Sequence, residues 1–153
     1  MSAADATRLI ELPNLAATEA LAAAVAAVAR AGDAILLEGE LGAGKTVFAR
    51  AFLRTATGDP ALEVPSPTFT LVQSYATSIG VVHHFDLWRL EGPDGLAELG
   101  WEEACDDIVL LEWPDRLGPL RPLDALTVAL QSTGTNSRRA ALSGWPDRIG
   151  RVA

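Results

Sequence analysis

The residues with the clearest chemistry are Gly39-Glu-Leu-Gly-Ala-Gly-Lys-Thr46, which fit G-x-x-x-x-G-K-[ST], the P-loop pattern. Glycines in such a loop let successive backbone N–H groups point into one concave nest that binds phosphate oxygens. A helix starting there adds the partial positive charge of its N-terminus. Lys45 then reaches the β and γ phosphates as a point charge, and the Thr46 hydroxyl ligates Mg²⁺. On this reading Glu40, Leu41, Gly42, Ala43, Gly44, Lys45, Thr46 and Val47 form the nucleotide-binding segment. With glycine near 7% of residues, a match somewhere in this length arises by chance on the order of 1% of the time. Lys45 is also the only lysine in the chain, and arginine supplies every other basic side chain.

Such a site needs a carboxylate near the metal, normally at the end of a neighbouring buried strand. Two acids end apolar runs. Glu112 follows Ile108-Val-Leu-Leu111, and Asp86 follows Val81-Val-His-His-Phe85. Glu112 is assigned with Thr46 to the metal, directly or through water. Asp86 then orients or deprotonates the attacking water, or holds a metal-bound water. The two roles are exchangeable on sequence alone. Lys45, Asp86 and Glu112 make the candidate catalytic set.

The remaining reactive side chains are weaker candidates. His83 and His84 are adjacent on a strand and face opposite sides. Together with Cys105 they offer poor spacing and too few ligands for a metal site, so a structural role is expected. Cys105 has no identifiable base and reads as a small core-type residue. Arg138 and Arg139 could reach a phosphate, but a hairpin surface is the plainer expectation. Arg89, three residues after Asp86, is the candidate for positioning that acid.

The elements around these residues follow from pattern. A short strand is expected over residues 8–12 and a helix over 18–31, ended by Gly32. Residues 34–38 are a buried-strand run that feeds the glycine-rich loop, and 47–57 continue as helix. Strands are expected over 68–75, 81–87 and 108–111, with one or two short helices over 93–104. Residues 126–131 and 138–143 flank a Gly134–Asn136 turn and read as a hairpin. Trp113-Pro-Asp-Arg-Leu-Gly118 returns as Trp145-Pro-Asp-Arg-Ile-Gly150, with unmatched flanks, which suggests coincidence or a local duplication. Strands mixed with helices indicate an α/β domain. We expect one P-loop NTPase-like domain over residues 1–153, with a central, largely parallel sheet flanked by helices and C-terminal antiparallel strands.

Composition bounds the rest. The chain has 153 residues, 49% of them hydrophobic and 21% charged, which suits one globular domain. No apolar run reaches the roughly 18 residues of a membrane span, no secretory leader is evident, and the single Cys105 cannot form an internal disulfide. A soluble, cytoplasmic protein is expected. The net charge of −8 is a poor match for a phosphate backbone. Residues 91–115 hold nine carboxylates and no Lys or Arg, either a solvated face or a surface that docks on a basic partner.

Three further segments follow the P-loop in order: Ser66-Pro-Thr-Phe-Thr-Leu71, His84-Phe-Asp-Leu-Trp-Arg-Leu90 and Leu111-Glu-Trp-Pro114. Together with the loop they resemble the successive signatures of the bacterial TsaE (YjeE) family over nearly the whole chain. Phe69 and Trp88 stand where that family usually has tyrosine, and neither replaces a catalytic group. The C-terminal 30 residues resemble it least. The resemblance implies a small ATPase, with ATP and Mg²⁺, needed for the threonylcarbamoyl modification of adenosine 37 in tRNAs that read codons starting with A. It implies work with the TsaD–TsaB pair, contact with tRNA only indirectly, no membrane, and room for weak self-association. By position it implies that residues 66–70 act as a switch segment near the γ-phosphate and that Trp113 sits beside the site. It also implies that the segment from Leu15 to Thr18 lies near the adenine, with Thr18 in contact.

A small-molecule kinase on the same loop is the alternative. Against it, the chain has no insertion long enough for an arginine-bearing lid. A guanine-reading N-K-x-D motif would need a lysine outside the P-loop, and there is none. A module that holds nucleotide without turnover, completed by a partner, remains open on sequence alone.

Overall fold

The computed structural model describes residues 7–152. Seven strands form one sheet: β1 (Thr7–Leu12), β2 (Ala34–Glu38), β3 (Val72–Thr77), β4 (Gly80–Asp86), β5 (Ile108–Glu112), β6 (Leu126–Ser132) and β7 (Arg138–Ser143). Their spatial order is β1-β7-β6-β2-β5-β4-β3. The helices are α1 (Leu15–Val28), α2 (Lys45–Thr57) and the single turn α3 (Trp101–Ala104), with short 3₁₀ segments around α3 and after β5. The α/β expectation holds, and the sheet is mixed. β6, β2, β5 and β4 run parallel at the centre, while β1–β7, β7–β6 and β4–β3 pair antiparallel towards both edges.

The innermost pair, β2 and β5, are the continuous apolar runs, because they are covered on both faces. Alternate side chains divide between the two layers. Ile35, Leu37, Ile108 and Leu110 pack under α1 and α2 with Phe48 and Phe52. Leu36, Val109 and Leu111 face the other way with Phe85 of β4, against Leu96, Trp101 and Leu117 from the short helical segments. The acidic residues of 91–106 sit on the outside of that second layer, with Glu91, Asp94, Glu98, Glu102, Glu103 and Asp106 exposed. Among the described residues, no helix is long and apolar enough to cross a membrane.

Three boundaries differ from expectation for local reasons. The first helix starts at Leu15, not residue 18, because the Asn14 carboxamide accepts from Ala17 N at 2.9 Å and caps it. It stops at Val28 because Asp33 Oδ2 accepts from Arg30 N at 2.7 Å, folding residues 30–33 into a turn. Residues 68–71 form a turn before β3, closed by Leu71 N to Pro67 O and with Leu71 at φ 70°.

The duplicated hexapeptide builds the same turn twice. Trp113 and Trp145 both adopt left-handed φ, 63° and 48°, and the carbonyl of each accepts from the N–H of the arginine three residues on. The second copy fastens the C-terminus. Arg148 forks onto both oxygens of Asp33 at 2.8 and 2.9 Å, donates to Val28 O at 2.9 Å, and lies 3.9 Å from the Trp145 ring centroid. Both partners are nearly buried, with 6% and 10% of their side chains exposed. Removing one partner of such a pair strands the other charge away from water. Arg148→Ala should therefore lower unfolding free energy by about 3 kcal/mol in a urea titration, whereas the exposed Arg151→Ala should change it by less than about 0.5 kcal/mol.

Candidate nucleotide site

The loop between β2 and α2 lies at the carboxyl end of the sheet, where ligands of open α/β sheets bind. Two of its glycines are sterically required. A Cβ on Gly39, at φ 144°, would stand 2.6 Å from Leu130 O. Gly44, at φ 106°, is the N-cap of α2 and supplies no side-chain cap. The first-turn N–H groups of α2 are therefore left without intrahelical acceptors, and they face the loop.

Lys45 is 5% exposed, and its ammonium donates back to Gly39 O while lying 3.5 Å from the Trp113 ring centroid. Trp113 in turn packs on Trp88, with centroids 4.5 Å apart. Burial lowers the Lys45 pKa from 10.5, opposed by the neighbouring Glu112, Asp86 and Asp115 carboxylates.

The two acids meet because β4 and β5 are parallel neighbours with Asp86 directly opposite Glu112 in register. Both are buried, at 5% and 3% exposure. Asp86 Oδ2 accepts from Thr68 Oγ1 at 2.9 Å and Ser66 Oγ at 3.4 Å, and Oδ1 accepts from Trp88 N at 3.0 Å. Glu112 Oε2 lies 2.8 Å from Nε2 of His84, which is fully buried. His84 Nδ1 has no partner among the described residues, so the neutral tautomer with its proton on Nε2 fits: it donates to Glu112 and buries only a lone pair.

One cleft of about 380 Å³ is lined by Leu41, Gly42, Gly44, Lys45, Thr46, Val47, Ser66, Thr68, Asp86, Glu112 and Arg138, with Trp88 and Trp113 at its wall. Glu40 and Ala43 line an adjoining cleft of about 300 Å³ against β6. The structure thus gathers Leu41, Gly42, Gly44, Lys45, Thr46 and Val47, both acids, Ser66, Thr68 and Trp113 around one volume, and puts Glu40 and Ala43 in the adjoining one. Thr18 is not brought to it. It is 1% exposed on the first turns of α1, its hydroxyl has no partner among the described residues, and it lines neither cleft.

Other candidates resolve differently. Arg89 lies 4.9 Å from the Phe69 ring centroid, and Asp86 takes its hydrogen bonds from Thr68, Ser66 and Trp88 instead. Arg139 pairs with Glu11 on the sheet surface, as a hairpin residue should. His83 bonds Ser74 at 2.7 Å and Asp107 at 2.9 Å. Burial, with Asp106 and Glu102 nearby, raises the Cys105 thiol pKa, which makes it a poor nucleophile. No group of three or more His, Cys, Asp or Glu among the described residues is placed to hold a metal. Two functional contacts went unread in the sequence: His84 on Glu112 and Arg138 on the loop. The first had a signal, since His84 stands two residues before Asp86 and so shares its strand face.

Residues 12–140 match the family model for the threonylcarbamoyl adenosine biosynthesis protein TsaE. The chain belongs to the TsaE family. It is 36% identical to the tRNA threonylcarbamoyladenosine biosynthesis protein TsaE of Rickettsia felis, covering 88% of this chain and 78% of that one. It is 32% identical to the protein of the same name from Bacillus subtilis, covering 86% and 82%. The crystal structure of Bacillus subtilis YdiB is similar over 95% of this chain and 90% of that one, with a TM-score of 0.74 and 25% identity. The TsaE match spans every element of the site, from Leu12 to the first residues of β7.

The lowered Lys45 pKa has a measurable consequence. An ammonium that held phosphate would do so only while charged, so affinity would be lost as pH rises through that pKa, below the 10.5 of an ordinary lysine. Calorimetry with an adenine nucleotide from pH 7 to beyond pH 10.5 should show affinity declining before pH 10.5 is reached. A flat profile would remove Lys45 from phosphate contact.

Proposed function

We propose that this chain is a Mg²⁺-dependent ATP hydrolase that serves a TsaD–TsaB pair in forming the threonylcarbamoyl group on tRNA adenosine. The observation that carries the reading is the register of Asp86 with Glu112, which sets two buried carboxylates in one cleft with Lys45 and Thr46.

Each residue has a part in hydrolysis. The first-turn amides of α2 would hold phosphate oxygens, and Lys45 would exchange the Gly39 carbonyl for them. Trp113 keeps the ammonium in place through its ring face without neutralising its charge. Thr46, Glu112 and Asp86 offer oxygen donors only, which suits a hard cation that takes the rest of its shell from water and phosphate. Thr46 and Glu112 would hold Mg²⁺, which when bound neutralises charge on the phosphate oxygens. His84 occupies Glu112 Oε2 and so turns the carboxylate's other oxygen to the cleft. Asp86, fixed by three donors, orients the attacking water and accepts its proton.

The segment at 66–71 ties to Asp86 through Ser66 and Thr68, while Phe69 at its tip is 82% exposed. That arrangement suits a stretch that responds to nucleotide on one side and meets a partner on the other. The net charge of −8 and the exposed acids of 91–106 favour a basic protein surface as the immediate contact, with tRNA reached only through it.

Lys45→Ala should abolish ATP binding by calorimetry. Asp86→Ala and Glu112→Ala should retain binding and lower turnover by about 100-fold or more in a phosphate-release assay, and chelation of Mg²⁺ should do the same. Adding TsaD–TsaB should raise wild-type turnover. Normal hydrolysis by Glu112→Ala would overturn the metal assignment, and ATP use that depends on a small acceptor would favour a kinase.

A further inference from the structure

We infer that Arg138 is a positioning residue that holds the P-loop in its phosphate-binding form. This rests on the nucleotide reading above. Arg138 opens β7, far from the loop in sequence, yet its guanidinium grips two successive loop carbonyls. Nε donates to Ala43 O at 3.0 Å and Nη2 to Gly42 O at 3.0 Å. Its third nitrogen, Nη1, donates to Ser137 O at 2.8 Å, Gly134 O at 3.1 Å and Thr135 O at 3.3 Å. One planar fork therefore fastens the loop to the β6–β7 turn.

The consequence follows from peptide geometry. In a trans peptide the C=O and N–H point in opposite directions. Gripping the Ala43 carbonyl from outside directs the Gly44 N–H away from the guanidinium, into the loop. The Ala43 N–H is already taken by Glu40 O at 3.1 Å, so the fork fixes the part of the loop that its internal hydrogen bond does not. Arg138 packs directly over Gly44, where a Cβ would meet Nε at 3.5 Å, an ordinary contact, so glycine is required there by its φ of 106° and not by the approach of the guanidinium. Among the described residues Arg138 has no carboxylate partner. Its charge, balanced only by carbonyl dipoles, stays beside the cleft that it lines.

A lysine cannot reproduce this contact, because one ammonium does not span two carbonyls in a fixed plane. That separates clamp from charge. Calorimetry with Mg-ATP on wild type, Arg138→Ala and Arg138→Lys should show Kd raised by about ten-fold or more in both variants. Turnover at saturating ATP should change by less than about three-fold. The melting temperature without nucleotide should match wild type for Arg138→Lys, while the rise in melting temperature on adding ATP shrinks. Wild-type affinity in Arg138→Lys would show that charge alone suffices and overturn the clamp. A collapse of turnover with unchanged Kd would make Arg138 a transition-state contact and overturn it equally. Wild type that binds normally beside two normally binding variants defeats this assignment alone. Wild type that binds no Mg-ATP defeats the nucleotide reading as well.

Discussion

A backbone phosphate site depends on amides that the fold has left over. The first turn of any helix has them, but they serve a ligand only when nothing internal caps them. Here Gly44 provides no cap, and left-handed glycines turn the chain from β2 into α2 within six residues, 39–44. Gly39 has no room for a side chain under Leu130 O. Everything else at this end of the sheet is arranged around that unsatisfied turn.

The central strands do the arranging. β2, β5 and β4 run parallel and end level, with Leu37 beside Glu112 and Glu112 beside Asp86. Two carboxylates and one ammonium are thereby buried within one cleft, an arrangement that would be costly if left to itself. The structure offsets the cost with donors. Three reach Asp86, His84 reaches Glu112, and a carbonyl and an indole face hold Lys45. These contacts fix the orientation of the three groups around the cleft.

The two tryptophan turns show one local device in two settings. Each copy of Trp-Pro-Asp-Arg forces a left-handed tryptophan and a tight 3₁₀ step. At Trp113 the ring covers the Lys45 ammonium. At Trp145 it covers the Arg148 guanidinium, which locks β2 to the C-terminus through Asp33. Nearly the same hexapeptide lines the cleft in one copy and fastens the C-terminal segment in the other, and its neighbours decide which.

Much of this was legible in the residues themselves. The P-loop, the acids ending apolar runs and the hairpin around residues 134–136 are local patterns, set by backbone sterics and by which side chains tolerate burial. Periodicity alone puts the start of α1 three residues late, because that start depends on the Asn14 cap. Sheet order, the pairing of Asp86 with Glu112, the His84 contact across 28 residues and the Arg138 clamp across 95 are properties of packing. So is the enclosure of Thr18 within α1. The strand face that His84 shares with Asp86 is a local pattern, but the partners are not, because each depends on which strand lies beside which, and that is settled only when the whole core closes.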